Sequence, residues 1–311
     1  MSLPHTAEMT ARCSVIIPCR GDSAELKHCL AALAAQDAPF RFEVIVVESA
    51  NDSRTDRVVG ELPGARLIRS EVGLLPGAAR NLGARHAAGE VLAFTDADCK
   101  PEPAWLSSVL SILDAGAKVA GGSVGNSLPL HPIAVADNLM QFPDFLAGRP
   151  EGPTDALPGC NIAIRRRDFS SLGGFREDLA AGEDFELVEN AAQRWPGGVI
   201  FDPRARITHK GRTTLRAFWK HQERFGYFRG ILGSRLRAGY QHRGRRVSFV
   251  FFFCARRYAY FLLRTAHWNR LGLPAFLLIS PVIAFGLVGY GKGFLNGCRA
   301  APHGYPIGPE A

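Results

Sequence analysis

Four short apolar runs, rich in β-branched residues, open the chain: Cys13–Pro18, Phe42–Val47, Ala65–Ile68 and Val91–Phe94. Continuous apolar runs of this length are typical of strands that are buried on both faces, as in a parallel sheet. Helical stretches of crossover length lie between them: Ser23–Gln36, Thr55–Leu62 and Ala78–Ala88. This alternation predicts an α/β fold with an open, doubly wound sheet.

The rest of the chain changes character twice. From about Gly121 to Lys210, Gly and Pro separate short strands, and a helix is predicted over Glu183–Trp195. A basic amphipathic stretch, Leu215–Leu236, then precedes two apolar runs, Val247–Leu263 and Leu271–Tyr290. We therefore divide the chain into a polar tail (1–12), an α/β domain (13–212, with halves of about 13–120 and 121–212), a basic helical segment (213–246) and an apolar segment with its tail (247–311).

The positive charge of the chain is concentrated in one region. With 47% hydrophobic and 21% charged residues, the composition is that of a globular protein, and the net charge is +8. Between Arg204 and Arg270, Glu223 is the only acidic residue. Such a block indicates an anionic membrane surface, phosphate-bearing substrates or nucleic acid. Because no aromatic-basic recognition motif for nucleic acid accompanies it, we favour a membrane surface and expect no nucleic-acid partner.

The cysteines and the N-terminus indicate a reducing compartment. The seven cysteines are scattered and include no Cys-x-x-Cys pair, which argues against a disulfide framework and against a zinc site. Residues Met1 to Arg12 lack the apolar core of a secretion signal. We therefore expect the protein to act in the cytoplasm.

Polar segments follow the predicted strands, where a doubly wound sheet binds its ligands. Pro18–Asp22 and Glu48–Ser53 follow the first two strands, although each could also be an ordinary loop that caps the next helix. Asp96 and Asp98 follow the fourth strand at alternate positions. Two carboxylates so close repel each other unless a cation lies between them, and oxygen ligands suit Mg²⁺ or Mn²⁺. The alternative is a solvated loop with incidental acids.

These segments belong to a longer series that resembles the successive motifs of the family 2 glycosyltransferases. The series is Cys13–Pro18, Val46–Glu48, Gly77–Gly83, Asp96–Asp98, Pro158–Asn161, Gly173–Phe175 and Gly182–Leu187. The resemblance covers about residues 13 to 230, and the order and spacing of the motifs make it specific. It implies a GT-A fold with a mixed sheet, in which residues 13–120 bind the nucleotide of a nucleotide-diphosphate sugar and residues 121–212 face the acceptor.

The resemblance also implies a role for individual residues. The nucleotide and donor would contact Pro18, Arg20, Glu48, Arg80, Asn81 and Asp96. Glu48 stands where relatives usually carry an Asp that contacts the uracil or ribose. Asp98 would bind the divalent metal, Mn²⁺ or Mg²⁺, and His209 would complete the metal or diphosphate site. Asp184 would be the catalytic base, and the acceptor side would include Gly159, Cys160, Asn161 and Glu183.

Two of these roles also have support from the local sequence. Glu183 and Asp184 follow Gly182 and open a helix, whose positive end and first backbone amides favour an ionised carboxylate. Such a carboxylate can accept a proton from a hydroxyl, although acids are common in first helical turns for structural reasons alone. His209 follows the strand-like run Val199–Ile207, but a lone His is more often structural. Cys160 has no neighbouring base in the sequence, so we do not predict a nucleophile there.

The C-terminal apolar runs predict membrane association. Leu271–Tyr290 has about the length of a bilayer core, while Pro274 and Pro281 suggest a kinked span or a re-entrant hairpin. Val247–Leu263 carries Arg256 and Arg257 in mid-run, as an interfacial helix would. The alternative is a helix of the protein core. Arginines ahead of Leu271 place that flank on the cytoplasmic side of the membrane.

The sequence thus predicts an inverting, metal-assisted glycosyltransferase at the cytoplasmic side of the membrane, with a lipid-linked or glycan acceptor. Gln222–Gly226 departs from the Gln-x-x-Arg-Trp motif of processive synthases, which favours transfer of one sugar at a time. Two alternatives are a nucleotidyltransferase on a related sheet and a nucleotide-sugar-binding or membrane scaffold protein with a decayed site. The sequence does not specify the donor sugar, the nucleotide base or the oligomeric state.

Overall fold

The computed structural model describes residues 11–21, 23–62, 64–236 and 246–300. Residues 1–10 of the predicted polar tail, 237–245 of the basic segment and 301–311 of the C-terminal segment lie outside this description. The described chain forms two compact units. The first comprises the residues up to Ser123 together with Glu151–Ile207, and the second comprises Val124–Pro150 together with the residues from Thr208 onwards.

A mixed sheet organises the first unit. Its strands are β1 (Cys13–Cys19), β2 (Phe42–Glu48), β3 (Ala65–Arg69), β4 (Val91–Phe94), β5 (Cys99–Pro101), β6 (Val119–Asn126), β7 (Gly152–Pro153), β8 (Ile162–Arg165) and β9 (Val199–His209). The last residues of β6 and β9 belong to the second unit. The order is β3-β2-β1-β4-β8-β6-β9-β5, with β7 paired to β9. Strands β1 to β4 are mutually parallel, whereas β8 runs antiparallel to β4 and β6.

The helices of the first unit are α1 (Ser23–Ala34), α2 (Arg54–Gly60), α3 (Pro76–His86), α4 (Trp105–Asp114), α6 (Arg166–Ser171) and α7 (Glu183–Arg194). The four parallel strands and the crossover helices between them confirm the predicted α/β alternation. In β1 and β4 every residue except Pro18 is buried, since helices cover both faces of a sheet of this kind. The parallel register brings the carboxyl ends of β1, β2 and β4 to one edge.

The second unit is helical. Its helices are α5 (Pro132–Gln141), α8 (Leu215–Leu236), α9 (Val247–Trp268) and α10 (Leu273–Ala300). Buried residues of α5, α9 and α10 share one apolar core with Phe218 of α8. Helix α10 continues through Pro281, so the chain does not reverse there as a re-entrant hairpin would, while the kinked span stays a prediction. Pro281 is exposed, and Gly286 and Gly289 lie against Phe218 and Trp219 of α8.

Candidate active site

Arg80 lies at the centre of a cluster of acidic side chains in the first unit. It belongs to α3, is buried, and donates hydrogen bonds of 2.7 Å both to Glu183 of α7 and to Asp96, which follows β4. The ring of Phe175 packs against the guanidinium at 5.5 Å from the ring centroid. Three segments that are distant in the sequence therefore meet at one cation, and their charges partly cancel.

The start of α7 places Asp184 beside this cluster. Gly182 precedes the helix with a φ of +90°, a conformation that favours glycine, and Glu183, Asp184 and Glu186 occupy the first turn. One oxygen of Asp184 accepts from the backbone N–H of Gly159 at 2.7 Å, and the other accepts from the N–H of Phe185 at 2.9 Å. The carboxylate is thus fixed by two backbone donors, as a positioned proton acceptor requires.

Gly159 allows the approach between its own segment and Asp184. A Cβ atom at Gly159 would lie 3.1 Å from the Asp184 side chain and 3.2 Å from the guanidinium of Arg80. These distances are tighter than most Cβ contacts, so a larger residue would push the two groups away from the Gly159 backbone. The hydrogen bond from Gly159 to Asp184 therefore depends on the absence of a side chain.

Burial alters the proton affinity of two carboxyl groups at the start of α7, those of Glu183 and Asp184. It raises the pKa of Glu183 above the ordinary range, and the nearby charge of Asp184 raises it further, against the opposing effect of Arg80. Burial also raises the pKa of Asp184, although Arg80 and the two backbone donors oppose the shift. A carboxylate with a raised pKa is a stronger base than an exposed one, which suits proton abstraction near neutral pH.

Asp98 and Asp96 are both partly exposed at the carboxyl end of β4. Asp96 binds Arg80, and Sγ of Cys99 lies 3.8 Å from a carboxylate oxygen of Asp98. Among residues 11–21, 23–62, 64–236 and 246–300, no three His, Cys, Asp or Glu side chains form a cluster that could hold a metal. These residues fit a Mg²⁺ or Mn²⁺ ion that one or two carboxylates share with substrate phosphates, and they do not fit an ion held by the protein alone.

The strand ends that were predicted to bind the nucleotide lie side by side. Pro18 and Cys19 at the end of β1 pair with Val47 and Glu48 at the end of β2, and Arg20 beyond them is exposed. The side chain of Glu48 is fully buried and accepts from the N–H of Ala50 and from Arg69. A contact between Glu48 and a nucleotide would require one of these bonds to be released, and the contact stays a prediction.

The side chain of Asn81 is held by a neighbouring loop. Its amide donates to the carbonyl of Phe175 and to Glu177, and its oxygen accepts from the N–H of Phe175. Asn81 therefore positions the ring that packs on Arg80, while its predicted approach to the phosphates stays a prediction. The motif Gly173-Gly174-Phe175 signalled this loop in the sequence without indicating what it does.

The segment after Gly159 is buried. Asn161 accepts from the indole N–H of Trp105 at 2.8 Å and donates to the carbonyls of Ser123 and Ala205, which fixes the segment against the sheet. Cys160 is hydrogen-bonded to Cys99, and that bond lowers the pKa of the Cys160 thiol. Burial and the negative charges of Asp96 and Asp98 together outweigh it, so the pKa is raised. A protonated, buried thiol is a poor nucleophile, in keeping with the sequence interpretation.

His209 ends β9 and lies in the second unit, whereas Asp98 lies in the first, so a joint metal or diphosphate site stays a prediction. His209 is buried against the ring of Phe142. Close to it in the chain, the N–H of Arg212 donates to the buried Asp137 of α5 at 3.0 Å. Asp137 also lies 2.7 Å from Nδ1 of His221 on α8. This network, which no pattern in the sequence indicated, anchors the chain that follows His209.

Comparison with known proteins identifies the family to which these motifs belong. The sequence model of the family described as Glycosyl transferase family 2 matches residues 14–173, just over half of the chain. The chain belongs to glycosyl transferase family 2. The matched region contains β1 to β4, the pair Asp96 and Asp98, and Gly159.

Curated relatives of this family 2 chain are glycosyltransferases by name. Glycosyltransferase AglE of Haloferax volcanii is 27% identical over 57% of this chain and 60% of its own length. Pre-mycofactocin glycosyltransferase of Mycobacterium tuberculosis is 28% identical over 65% of this chain and 43% of its own length. The chain thus matches about half the length of these relatives.

Solved structures show the GT-A fold for this family 2 chain. The mannosyltransferase PcManGT from Pyrobaculum calidifontis, solved with GDP-Man and Mn²⁺, superposes with a TM-score of 0.59 at 18% identity, covering 95% of this chain and 88% of that one. Staphylococcus aureus TarS 1–349, solved with UDP-GlcNAc, superposes with a TM-score of 0.52 at 16% identity, covering 94% and 92%. At these identities the likeness establishes the fold, and the predicted GT-A architecture is confirmed.

Proposed function

We propose that the chain is an inverting glycosyltransferase that moves one sugar from a nucleotide-diphosphate sugar to a hydroxyl or phosphate acceptor. The observation that carries the proposal is the arrangement of Asp184, fixed by Gly159 and Phe185 beside the cluster formed by Arg80, Glu183 and Asp96. The names of the curated relatives and the nucleotide sugars bound by the structural neighbours support the same reaction class.

In this reaction Asp184 takes the proton of the acceptor hydroxyl. The acceptor oxygen then forms a bond to the anomeric carbon from the side opposite the nucleotide, while the bond from that carbon to the diphosphate oxygen breaks. The electron pair leaves with the nucleoside diphosphate, and one displacement inverts the anomeric configuration. Because Asp184 is held by backbone donors rather than by a neighbouring cation, it stays available as the proton acceptor.

Arg80, Asp96 and Asp98 would act on the donor. Arg80 holds Asp96 and Glu183 in fixed positions, so the charges that face the donor are set before it binds. Asp98, with His209 as a further candidate, would hold a divalent cation against the diphosphate. A bound Mn²⁺ or Mg²⁺ supplies positive charge for the leaving diphosphate.

The acceptor is proposed to be lipid-linked or presented at a membrane, with the protein on its cytoplasmic side. In the described part of the chain, α10 is the one helix that is long and apolar enough to cross a membrane, with a mean hydropathy of 2.0 over its most apolar window. The basic residues of 204–270 support an anionic lipid surface as the partner.

A donor panel tests the proposed reaction. The purified full-length protein is incubated with UDP-, GDP- and dTDP-sugars and Mn²⁺, and released nucleoside diphosphate is measured. Slow hydrolysis of one donor, which rises when an acceptor is added, supports the proposal. Release of inorganic pyrophosphate from a nucleoside triphosphate and a sugar phosphate would indicate the nucleotidyltransferase alternative. Tight binding of a nucleotide sugar without turnover, across acceptors, would indicate the binding-protein alternative.

A further inference from the structure

An apolar stripe runs along the exposed side of α10. Its residues recur every three or four positions, as one helix face requires, and are Pro274, Leu277, Leu278, Pro281, Phe285 and Val288. Leu278 is 82% exposed. Beyond Val288 the same face becomes polar, with Lys292, Asn296 and Arg299. The exposed apolar face of α10 is therefore about four turns long and ends inside the helix.

Helix α9 adds exposed apolar side chains of its own. They are Val247, Phe251, Phe252 and Leu263, each at least 66% exposed. From Arg246 to Ala300 the sequence has seven Arg and Lys residues and no acidic residue. Large exposed apolar side chains beside an exclusively basic set of charges match an anionic lipid surface.

The opposite side of α10 is packed closely against α8. A Cβ atom at Gly293 would overlap the carbonyl oxygen of Glu223, and one at Gly297 would overlap that of Tyr227. On α8, a Cβ atom at Gly226 would overlap the carbonyl oxygen of Tyr290. Glycines on both helices thus bring the two backbones into direct contact along the second half of α10. Lys292 also forms an ion pair of 2.7 Å with Glu223.

The far end of the α9–α10 hairpin is also held by the second unit. The carbonyl of Trp268 packs against the backbone of Gly148, and Arg149 lies over the indole ring. Arg264 pairs with Asp144 at 2.9 Å, and Tyr260 donates to the same carboxylate. Both ends of the hairpin therefore lie against other segments of the same unit.

These contacts are incompatible with a hairpin that crosses a bilayer. A spanning α10 would draw α8 into the hydrocarbon layer with its exposed Lys220, Arg224 and Arg229. It would also bury Asp144 and Arg149 at the other end. We propose that the second unit is a monotopic membrane-docking surface, in which α9 and α10 lie along one leaflet of an anionic membrane and insert only their exposed apolar side chains. The proposal of a monotopic surface rests on the membrane location that is part of the proposed function.

Cysteine labelling distinguishes lying on the membrane from crossing it. Asn269→Cys and Asn296→Cys place a thiol near each end of α10, and both positions are exposed. The full-length variants are expressed in bacteria, and inverted membrane vesicles are treated with a membrane-impermeant maleimide, with the unsubstituted protein as the blank for the native cysteines. The proposal predicts that both thiols react without detergent. Protection of either thiol until detergent is added would contradict it.

Vesicle flotation measures how much the apolar stripe of α10 contributes to membrane binding. Leu278→Glu should lower binding of the full chain to vesicles of phosphatidylglycerol and phosphatidylcholine by about tenfold or more, because an apolar side chain that inserts into the lipid is replaced by a charge that anionic lipid repels. The matched control is Leu130→Glu, another exposed leucine outside the stripe, which should bind as the unsubstituted protein does. Equal binding of the two variants to vesicles would contradict the proposed docking surface. Donor hydrolysis, measured on the same samples, reports the proposed reaction separately.

Discussion

The guanidinium of Arg80 and the carboxylate of Glu183 lie 2.7 Å apart although 103 residues separate them in the chain. Both side chains are less than a tenth exposed. A buried ion pair of this kind makes each partner dependent on the other, because either charge would be costly to bury alone. The cluster around Asp184 is therefore sensitive to the loss of a single cation.

Replacement of Arg80 by methionine should destabilise the protein by about 3–5 kcal/mol at pH 8, since Glu183 would remain buried without its partner. The loss should be smaller at pH 5. A carboxyl group whose folded pKa is raised contributes less stability as the pH rises through that pKa, and the loss of Arg80 raises it further. Denaturant unfolding at the two pH values measures both effects, with the double variant Arg80→Met/Glu183→Gln as a control that should recover part of the loss. Equal losses at both pH values would contradict this account.

The pH dependence of kcat/KM should follow the protonation of the Asp184 carboxylate. The pKa of Asp184 is raised by burial, so kcat/KM should fall on acidification at a pH above the ordinary range of an Asp carboxyl, about 4. Asp96→Asn removes a negative charge that raises the pKa of Asp184 and should move this acid limb to lower pH. Initial rates across pH 4 to 9 for both proteins provide the measurement. An acid limb that stays in place in the variant would mean that another group controls it.

Asp98→Ala should remove the dependence of nucleotide binding on the metal while the fold is retained. Asp98 is partly exposed, so its replacement should cost little stability. Calorimetric titration of UDP and GDP with and without Mn²⁺ measures the effect. The isosteric variant Asp98→Asn should show an intermediate loss. Metal-dependent affinity that is unchanged in Asp98→Ala would exclude Asp98 as a ligand.

The close packing of α8 on α10 should tolerate no side chain at Gly293. Gly293→Ala places a methyl group against the carbonyl of Glu223 and should lower stability by about 1–3 kcal/mol through overpacking. Gly60→Ala is the matched control, because in the described part of the chain nothing outside its own helix and its chain neighbours lies within 4 Å of the added methyl group. Thermal unfolding of the detergent-solubilised full chain compares the two. Similar melting temperatures for both variants would show that the helices do not pack as described.

The sequence predicted the parallel half of the sheet and the polar strand ends, because Cys13–Pro18 and its counterparts carry a local pattern of buried strands. It also predicted the start of α7, where Gly182 and the following acids mark a helix N-terminus. It did not predict the partners of Arg80, Asn81 or Asn161. Those depend on the approach of segments that are distant in the chain, which neither spacing nor periodicity encodes.

The glycines of α10 are a second example of contacts that the local sequence does not encode. Glycine and proline inside an apolar run suggest a break when the run is considered alone. In the structure Gly286 and Gly289 lie against Phe218 and Trp219 of α8, and their role becomes evident only once that helix is in place. The length and hydropathy of the run likewise suggested a span, whereas the contacts of its buried face are what favour the monotopic arrangement.

The central claim is that Asp184 is the proton acceptor of a sugar transfer. Asp184→Asn keeps the shape of the side chain and removes its basicity. Steady-state turnover with the donor that responds in the panel should fall by about 10² or more, while the affinity for nucleoside diphosphate, measured by calorimetry, should stay within about twofold of the unsubstituted value. Turnover that remains near normal in this variant would contradict the account and leave Asp184 as a structural acid at the start of α7.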